Sequence, residues 1–249
     1  MSKPSNSCAT ATWPPTGSGW TLLGDAVAIR CADCRDVLPV ECDAVVTDPP
    51  YGIAKERHRA GEPCGRGCAP KRRWVMELNE WDLERPQQET FDTILQMAKQ
   101  VVLWGGNYFA DMLPPSMGWL YWDKANDGKS FGNGELAWTS RWGALRTCRL
   151  MWDGMLRASK DGALVHPTQK PTELMVWAMA ETKIHETATV CDPFMGSGST
   201  GVACIRTGRK FIGIERDPEF FAIARQRLEN ELRQGLLHLT PNKGKKGNQ

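Results

Sequence analysis

The stretch Ala44-Val45-Val46-Thr47-Asp48-Pro49-Pro50-Tyr51 runs a short, β-branched apolar segment straight into a double proline. Such a run, closed by prolines, predicts a buried parallel strand ending in a rigid turn. Each proline fixes its own φ and turns the preceding residue away from the helical region, so Asp48 and Tyr51 are presented from a stiff loop at the carboxyl end of a strand. Open α/β sheets bind their ligands at that end. A carboxylate and an aromatic face held side by side suit a planar heterocycle with an exocyclic amine. Asp48 and the Pro49 carbonyl can accept the amine hydrogens while Tyr51 stacks on the ring. Taken alone, the tetrapeptide fits a structural turn equally well.

A second signal is Asp192-Pro193-Phe194-Met195-Gly196-Ser197-Gly198-Ser199-Thr200, directly after the apolar run 187–191. Strand, glycine loop and a helical segment over 201–207, with Gly208 as its cap, let backbone N–H groups approach a ligand at a helix N-terminus. A further strand over 210–214 delivers Glu215, 23 residues after Asp192. That resembles the spacing at which dinucleotide folds place an acidic residue on ribose hydroxyls. The glycines do not read Gly-x-Gly-x-x-Gly, which favours a nucleoside with a smaller tail over a pyrophosphate.

Asp48-Pro49-Pro50-Tyr51, His166-Pro167-Thr168-Gln169-Lys170-Pro171 and 192–198, in that order, resemble the amino-methylating DNA methyltransferases of the β class. Protein glutamine methyltransferases and many RNA methyltransferases place the glycine motif first, so the order argues against them. The resemblance spans 26–232 and implies an α/β fold, a doubly wound, Rossmann-like sheet of seven strands with a short irregular target-recognition insertion. It implies S-adenosyl-L-methionine as cofactor and double-stranded DNA as partner. Asp48, Pro49, Pro50 and Tyr51 are then catalytic. Asp33, Asp48, Lys170, Asp192, Pro193, Phe194, Gly196, Gly198, Ser199 and Glu215 hold the cofactor, with Asp33 at its adenine edge and Lys170 at its carboxylate. Asp33 also reads as the N-cap of a short helix around 35–38.

The implied reaction is site-specific methylation of the N6 amine of adenine after base flipping, a step that costs on the order of a few kcal/mol. Asp at the first motif position is what the resembling adenine enzymes usually show, whereas N4-cytosine enzymes more often carry Ser. N4-cytosine methylation is the alternative. A DNA-binding regulator that keeps the cofactor and has lost catalysis is another, against which the intact Asp48, Tyr51, Gly196, Gly198 and Glu215 count. A homodimer is compatible with the resemblance, and no segment resembles a nuclease site.

The 249 residues suffice for one domain with a sizeable core. No run of 18 apolar residues and no signal-peptide pattern occurs, which predicts a soluble, cytoplasmic chain with no membrane partner. Nine cysteines, an odd number without an export signal, argue against a disulfide framework. Cys31-x-x-Cys34 and Cys64-x-x-x-Cys68 have metal-like spacing, but the first pair serves strand and turn, so no metal is expected.

Net charge is only +2, yet the charge is unevenly spread. Residues 1–23 read as an N-terminal arm, 24–232 as a single catalytic domain and 233–249 as a basic tail. Segment 55–75 carries Lys55, Arg57, Arg59, Arg66, Lys71, Arg72 and Arg73 against Glu56 and Glu62, close in sequence to the proposed chemistry. Interval 125–165 interleaves Trp138, Trp142 and Trp152 with Arg141, Arg146, Arg149 and Arg157. The basic residues of both read as nucleic-acid contacts, Arg57, Arg59, Arg72 and Arg73 on DNA phosphates and Arg141, Arg146 and Arg149 on DNA in what the resemblance implies is the target-recognition interval, whereas Trp138 reads as core. Seven strands are expected, at 26–31, 44–47, 101–104, 119–122, 135–139, 187–191 and 210–214. A core-facing helix is expected from Thr90, with Phe91, Ile94, Leu95 and Ala98 on one face, and a last helix capped by Asp217, with Phe221, Ala224, Leu228 and Leu232 inward.

Overall fold

The structure, a computed structural model, describes residues 12–53, 84–126, 132–153, 156–157 and 169–239. Arg57, Arg59, Arg72, Arg73, Cys64, Cys68 and His166-Pro167-Thr168 lie outside the described residues. In chain order the elements are β1 (Thr21–Leu23), β2 (Val27–Cys31), β3 (Ala44–Thr47), α1 (Gln88–Met97), β4 (Gln100–Trp104), β5 (Trp119–Asp123), β6 (Gly134–Thr139), β7 (Arg146–Arg149), β8 (Trp152–Asp153), β9 (Leu156–Arg157), α2 (Thr172–Glu181), β10 (Thr189–Asp192), α3 (Ser199–Arg206), β11 (Lys210–Glu215) and α4 (Pro218–Leu239).

Every residue of β3 is buried, because the strand is covered on both faces. Ala44 and Val46 join one core layer with Val102, Trp104, Val190 and Phe211, packed under Leu174 and Met179 of α2, Val202 and Ala203 of α3, and Ala224 and Leu228 of α4. Val45 points the other way, with Val101, Leu103, Cys191 and Ile212, against Phe91 and Ile94 of α1 and against Phe109. Alternate side chains of each strand thus feed two cores, which is why these segments read as continuous apolar runs. The helix expected from Thr90 begins two residues earlier, and Phe91 and Ile94 are fully buried.

The main sheet has nine strands in the order β1-β2-β11-β10-β3-β4-β6-β5-β7. Strands β2, β11, β10, β3 and β4 are mutually parallel, and β6 runs against its neighbours β4 and β5. All seven expected strands are present, and the two extra ones lie at the edges. β1 falls inside the stretch read as an arm and pairs with β2, and Trp13 and Trp20 pack against the second core layer. β7 lies inside the interval read as irregular and pairs with β5. Its residues Arg146-Thr147-Cys148-Arg149 are mostly exposed, so a polar edge strand carried no apolar period to read. Among the described residues no helix is long and apolar enough to cross a membrane, and no three His, Cys, Asp or Glu side chains cluster to hold a metal ion. Cys31 is exposed and Cys34 buried.

From β3 the chain continues through α1 to β4 on one side, and from β10 through α3 to β11 on the other, although β3 and β10 are neighbours. Their carboxyl ends therefore diverge. At this switch point a doubly wound sheet opens a crevice, and both the Asp48 loop and the glycine loop begin there.

Phe91 supports this arrangement from below the sheet, its ring centroid 4.8 Å from that of Phe109. Phe91→Ala is expected to destabilise the fold by about 3–5 kcal/mol, read as a lowered denaturant midpoint. A loss under about 1 kcal/mol would mean that α1 is not packed as described.

Candidate active site at the switch point

One buried hydrogen bond joins the two loops. The Thr47 hydroxyl donates to Asp192 Oδ1 at 2.7 Å, and the Phe194 N–H donates to the same oxygen at 3.1 Å. Asp192 is only 3% exposed. Burial pushes its carboxyl up to about 7, against the downward pull of the Thr47 and Thr200 hydroxyls and the Phe194 N–H. Asp192 therefore braces the loops from within rather than facing a ligand.

The glycine loop is held from two further sides. Glu215, at the end of β11, accepts the Gly196 N–H at 2.9 Å and the Asp217 N–H at 2.8 Å. Arg227 of α4 donates to the Ser197 carbonyl and hydroxyl. Gly196 has φ +50°, and a Cβ there would meet no atom within 4 Å, so the backbone fronts open space. At Gly198 a Cβ would lie 3.3 Å from Ala224 Cβ, which gives this glycine a packing role against α4 that sequence reading had assigned to ligand approach. Pro193 is buried and Phe194 partly so. Ser199 is buried, and its hydroxyl has no partner among the described residues.

Across the crevice, Asp48 is one end of a charged cluster. Tyr51 donates its hydroxyl to Asp48 Oδ1 at 2.6 Å, and Lys170 Nζ lies 2.5 Å from Asp48 Oδ2. Lys170 also reaches Glu135 Oε2 at 3.1 Å, and Lys124 Nζ lies 2.5 Å from Glu135 Oε1. Burial raises the Asp48 carboxyl, with Lys170 pulling the other way. Burial also disfavours charge on Glu135, but the flanking Lys170 and Lys124 outweigh it and drive that carboxyl down to about 2. For Lys170 burial works against the ammonium, and Asp48 and Glu135 more than offset it, raising its pKa. The ammonium that sequence reading set against the cofactor's carboxylate is thus held between two carboxylates of the chain.

The tyrosine is less free than its motif suggests. Its ring stacks on Tyr108, centroids 4.6 Å apart at 18°. Gly105 (φ +69°) lies so close that a Cβ would sit 2.1 Å from a Tyr51 ring carbon. The turn carrying Tyr108 is fixed by Arg85, which donates to the Tyr108 carbonyl at 2.9 Å and pairs with both oxygens of Asp111. Tyr108 is itself 37% exposed and extends the aromatic surface outward. Sequence reading missed Tyr108, Glu135 and Lys124. Tyr108 directly follows Gly105-Gly106-Asn107, and the aromatic next to a glycine turn was the available signal. For Glu135 and Lys124 no local signal existed.

Asp33 is the N-cap of the 3-10 turn Cys34–Asp36, accepting the Arg35 N–H at 2.9 Å and pairing with the Arg35 guanidinium at 2.7 Å. The capping half of its double reading is what the fold shows. Arg141, Arg146 and Arg149 are each engaged within the chain. Arg141 lies beyond β6, at the amino side of the parallel strands, and donates to the Glu181 carbonyl. Arg146 pairs with Glu181 at 3.7 Å. Arg149, alongside Asp123 at the carboxyl end of β5, pairs with it at 3.5 Å. Of the three, Arg149 alone lies towards the carboxyl side of the parallel strands, where the candidate site is.

Since Asp192 has an ordinary carboxyl value of 3.8 when unfolded, the folded protein binds the extra proton between about pH 4 and 7. Its contribution to stability is therefore lost as pH rises through that window. Asp192→Asn, which keeps an acceptor for Thr47, is expected to flatten this part of the stability profile, measured as denaturant midpoints from pH 4 to 8. An unchanged slope would place the proton elsewhere.

Residues 121–226 match a family model described as DNA methylase. Two curated relatives are the Type II methyltransferase M2.LlaDCHI of Lactococcus lactis subsp. cremoris, 40% identical over 121 residues, and the Type II methyltransferase M2.DpnII of Streptococcus pneumoniae, 47% identical over 83 residues. The first alignment covers 47% of this chain and 44% of that protein, the second 32% and 30%, so the chain spans less than half the length of the curated relatives it matches. Among solved structures, the PvuII DNA methyltransferase (cytosine-N4-specific) superposes with a TM-score of 0.50 at 15% identity over 84% of this chain and 90% of that one, a likeness of fold. The His166-Pro167-Thr168-Gln169-Lys170-Pro171 and glycine motifs fall inside the matched residues, and the resemblance to the S-adenosylmethionine-dependent DNA amino-methyltransferases is borne out.

Proposed function

We propose that this chain transfers a methyl group from S-adenosyl-L-methionine to the exocyclic N6 amine of adenine in double-stranded DNA. The observation that carries the reading is the juxtaposition at one switch point of a carboxylate acceptor, Asp48, and an open glycine loop, tied together by the Thr47–Asp192 hydrogen bond.

The residues present fit such a cofactor. Open space at Gly196, the unpartnered buried hydroxyl of Ser199 and the carboxylate of Glu215 make a polar cradle on one side of the crevice. Each Glu215 oxygen accepts one backbone N–H and retains a lone pair for a ribose hydroxyl. When bound, the cofactor supplies a methyl group on a positively charged sulfur. Asp48 supplies the acceptor for the target amine, whose lone pair is otherwise delocalised into its ring, and the Pro49 carbonyl is the second acceptor. Hydrogen bonds to both amine hydrogens hold the nitrogen with its lone pair directed at the methyl group. The proton leaves after transfer, so Asp48 need not be a strong base. Positioning of this kind can supply about 7–11 kcal/mol. Asp48 retains 24% of its side-chain surface exposed, against 7% for Lys170, so Asp48 is the member of that pair open to an incoming group.

Duplex DNA as the substrate rests on the family match and on the basic segment 55–75, each neutralised phosphate adding to the salt dependence of binding. The test is incubation of purified protein with labelled S-adenosyl-L-methionine and mixed-sequence duplex, followed by nucleoside digestion and mass spectrometry. N6-methyladenine is the expected product. N4-methylcytosine would keep the mechanism and replace the base, and cofactor binding without transfer would favour a regulator. Asp48→Ala is expected to abolish transfer while leaving cofactor affinity within about threefold. Glu215→Ala is expected to weaken cofactor binding about tenfold or more, the effect of roughly one lost charge-assisted hydrogen bond. Normal transfer by the first variant, or unchanged affinity in the second, would contradict the assigned roles.

A further inference from the structure

The charged cluster extends further behind Asp48 than acceptance of an amine requires. Four ionisable side chains from separate parts of the chain form it: Asp48 after β3, Lys124 after β5, Glu135 in β6, and Lys170 just before α2. Its two ammonium groups balance its two carboxylates, but unequally. Glu135 is flanked by both lysines, whereas Asp48 has Lys170 alone, together with the Tyr51 hydroxyl. Asp48 is therefore the carboxylate with less cationic support, and the one on which a proton would settle as pH falls. A protonated Asp48 would present one oxygen as a donor and be a weaker acceptor for the amine hydrogen.

We propose that Lys170 and Glu135 are positioning residues that set the charge on Asp48: Lys170 holds it as an anion able to accept the target amine, and Glu135 draws Lys170 partly away so that Asp48 is not fully neutralised. This inference rests on the assignment of Asp48 to the target amine. It replaces the role for Lys170 implied by family resemblance, since an ammonium already shared by two carboxylates leaves little charge for a third. Glu135 itself is held by Lys124, which lies 4.9 Å from the Trp122 ring centroid, so the far end of the cluster is fixed to the core.

The two positioning residues act on Asp48 with opposite sign, and structural damage would not. Removing the cation in Lys170→Gln is expected to move the acidic limb of the kcat profile up by about one pH unit or more, the usual effect of an opposite charge on a carboxyl group. Lys170→Arg should return it towards its original place. Glu135→Gln should move the limb down, because Lys170 then serves Asp48 alone. If Glu135→Gln does not fold, Glu135→Asp loosens the same contact and should move the limb in the same direction. Cofactor affinity of Lys170→Gln, by calorimetry, should stay within about threefold of the unsubstituted protein. Displacement of both limbs in one direction, no displacement, or a tenfold loss of cofactor affinity in Lys170→Gln would each overturn the proposal. The charge on Asp48 is also read without turnover, by carbon-13 NMR of aspartate-labelled protein with Asp48→Asn as the assignment control. If the protein transfers no methyl group to DNA, opposite shifts of that resonance's titration uphold the inference while the substrate reading falls; titrations that do not separate overturn the inference itself.

Discussion

The Thr47–Asp192 hydrogen bond is the constraint on which the rest of the site depends. It lies where two neighbouring parallel strands send their chains to opposite sides of the sheet, and it is buried from water. A hydrogen bond in that setting is worth more through what its loss would leave unpaired than through its own net strength, about 1–3 kcal/mol for a stranded buried group. Its structural consequence is larger. The acceptor loop that follows β3 and the glycine loop that follows β10 are fixed relative to each other at their roots, and the two halves of a transfer site need that relation.

Features visible in the sequence were those whose cause is local. A double proline after a β-branched run, glycines after a second such run and an acidic residue at the end of a third all announce strand ends, and the carboxyl ends of parallel strands lie along one edge of a doubly wound sheet. Asp217 as a helix cap was legible for the same reason: its carboxylate accepts the N–H groups of Glu219 and Phe220, two and three residues on. Glu135 was not legible. It lies next to Lys170 because β6 runs against β4 and starts beyond the level at which β3 stops, a matter of register between strands far apart in the chain. The packing of Gly198 was not legible either, since only the tertiary approach of Ala224 shows what occupies the space beside it. Charge was the weakest guide. Arg141, Arg146 and Arg149 read as one basic surface, yet strand direction separates Arg141 from Arg149 by the length of β7, and each has a partner in the chain.

A half-buried cluster of two lysines and two carboxylates adds little to stability, because desolvation of such groups commonly cancels their attraction. Hydrophobic residues of similar volume would serve the fold as well. Its presence beside Asp48 is better explained by what it does to that carboxylate. A lone carboxylate at that depth would tend to hold its proton, and a carboxylate saturated by a single dedicated lysine would accept poorly. Sharing Lys170 between Asp48 and Glu135 gives an intermediate condition, and Lys124 keeps Glu135 from following Lys170 into the site.

The aromatic side of the site obeys a similar balance. Tyr51 spends its hydroxyl on Asp48 and one ring face on Tyr108, so it is not an unoccupied platform awaiting a base. An incoming heterocycle either covers the outer face of Tyr108 or takes its place. Displacing Tyr108 forfeits a stacked aromatic pair, about 0.5–1.5 kcal/mol beyond the area it buries. A base stacked on an aromatic side chain recovers about 1–3 kcal/mol. The exchange is therefore close to neutral or favourable, and the Tyr51–Tyr108 stack keeps the pocket filled without barring entry. Because Arg85 anchors the Tyr108 carbonyl rather than its ring, the side chain can yield while the turn that carries it stays in place.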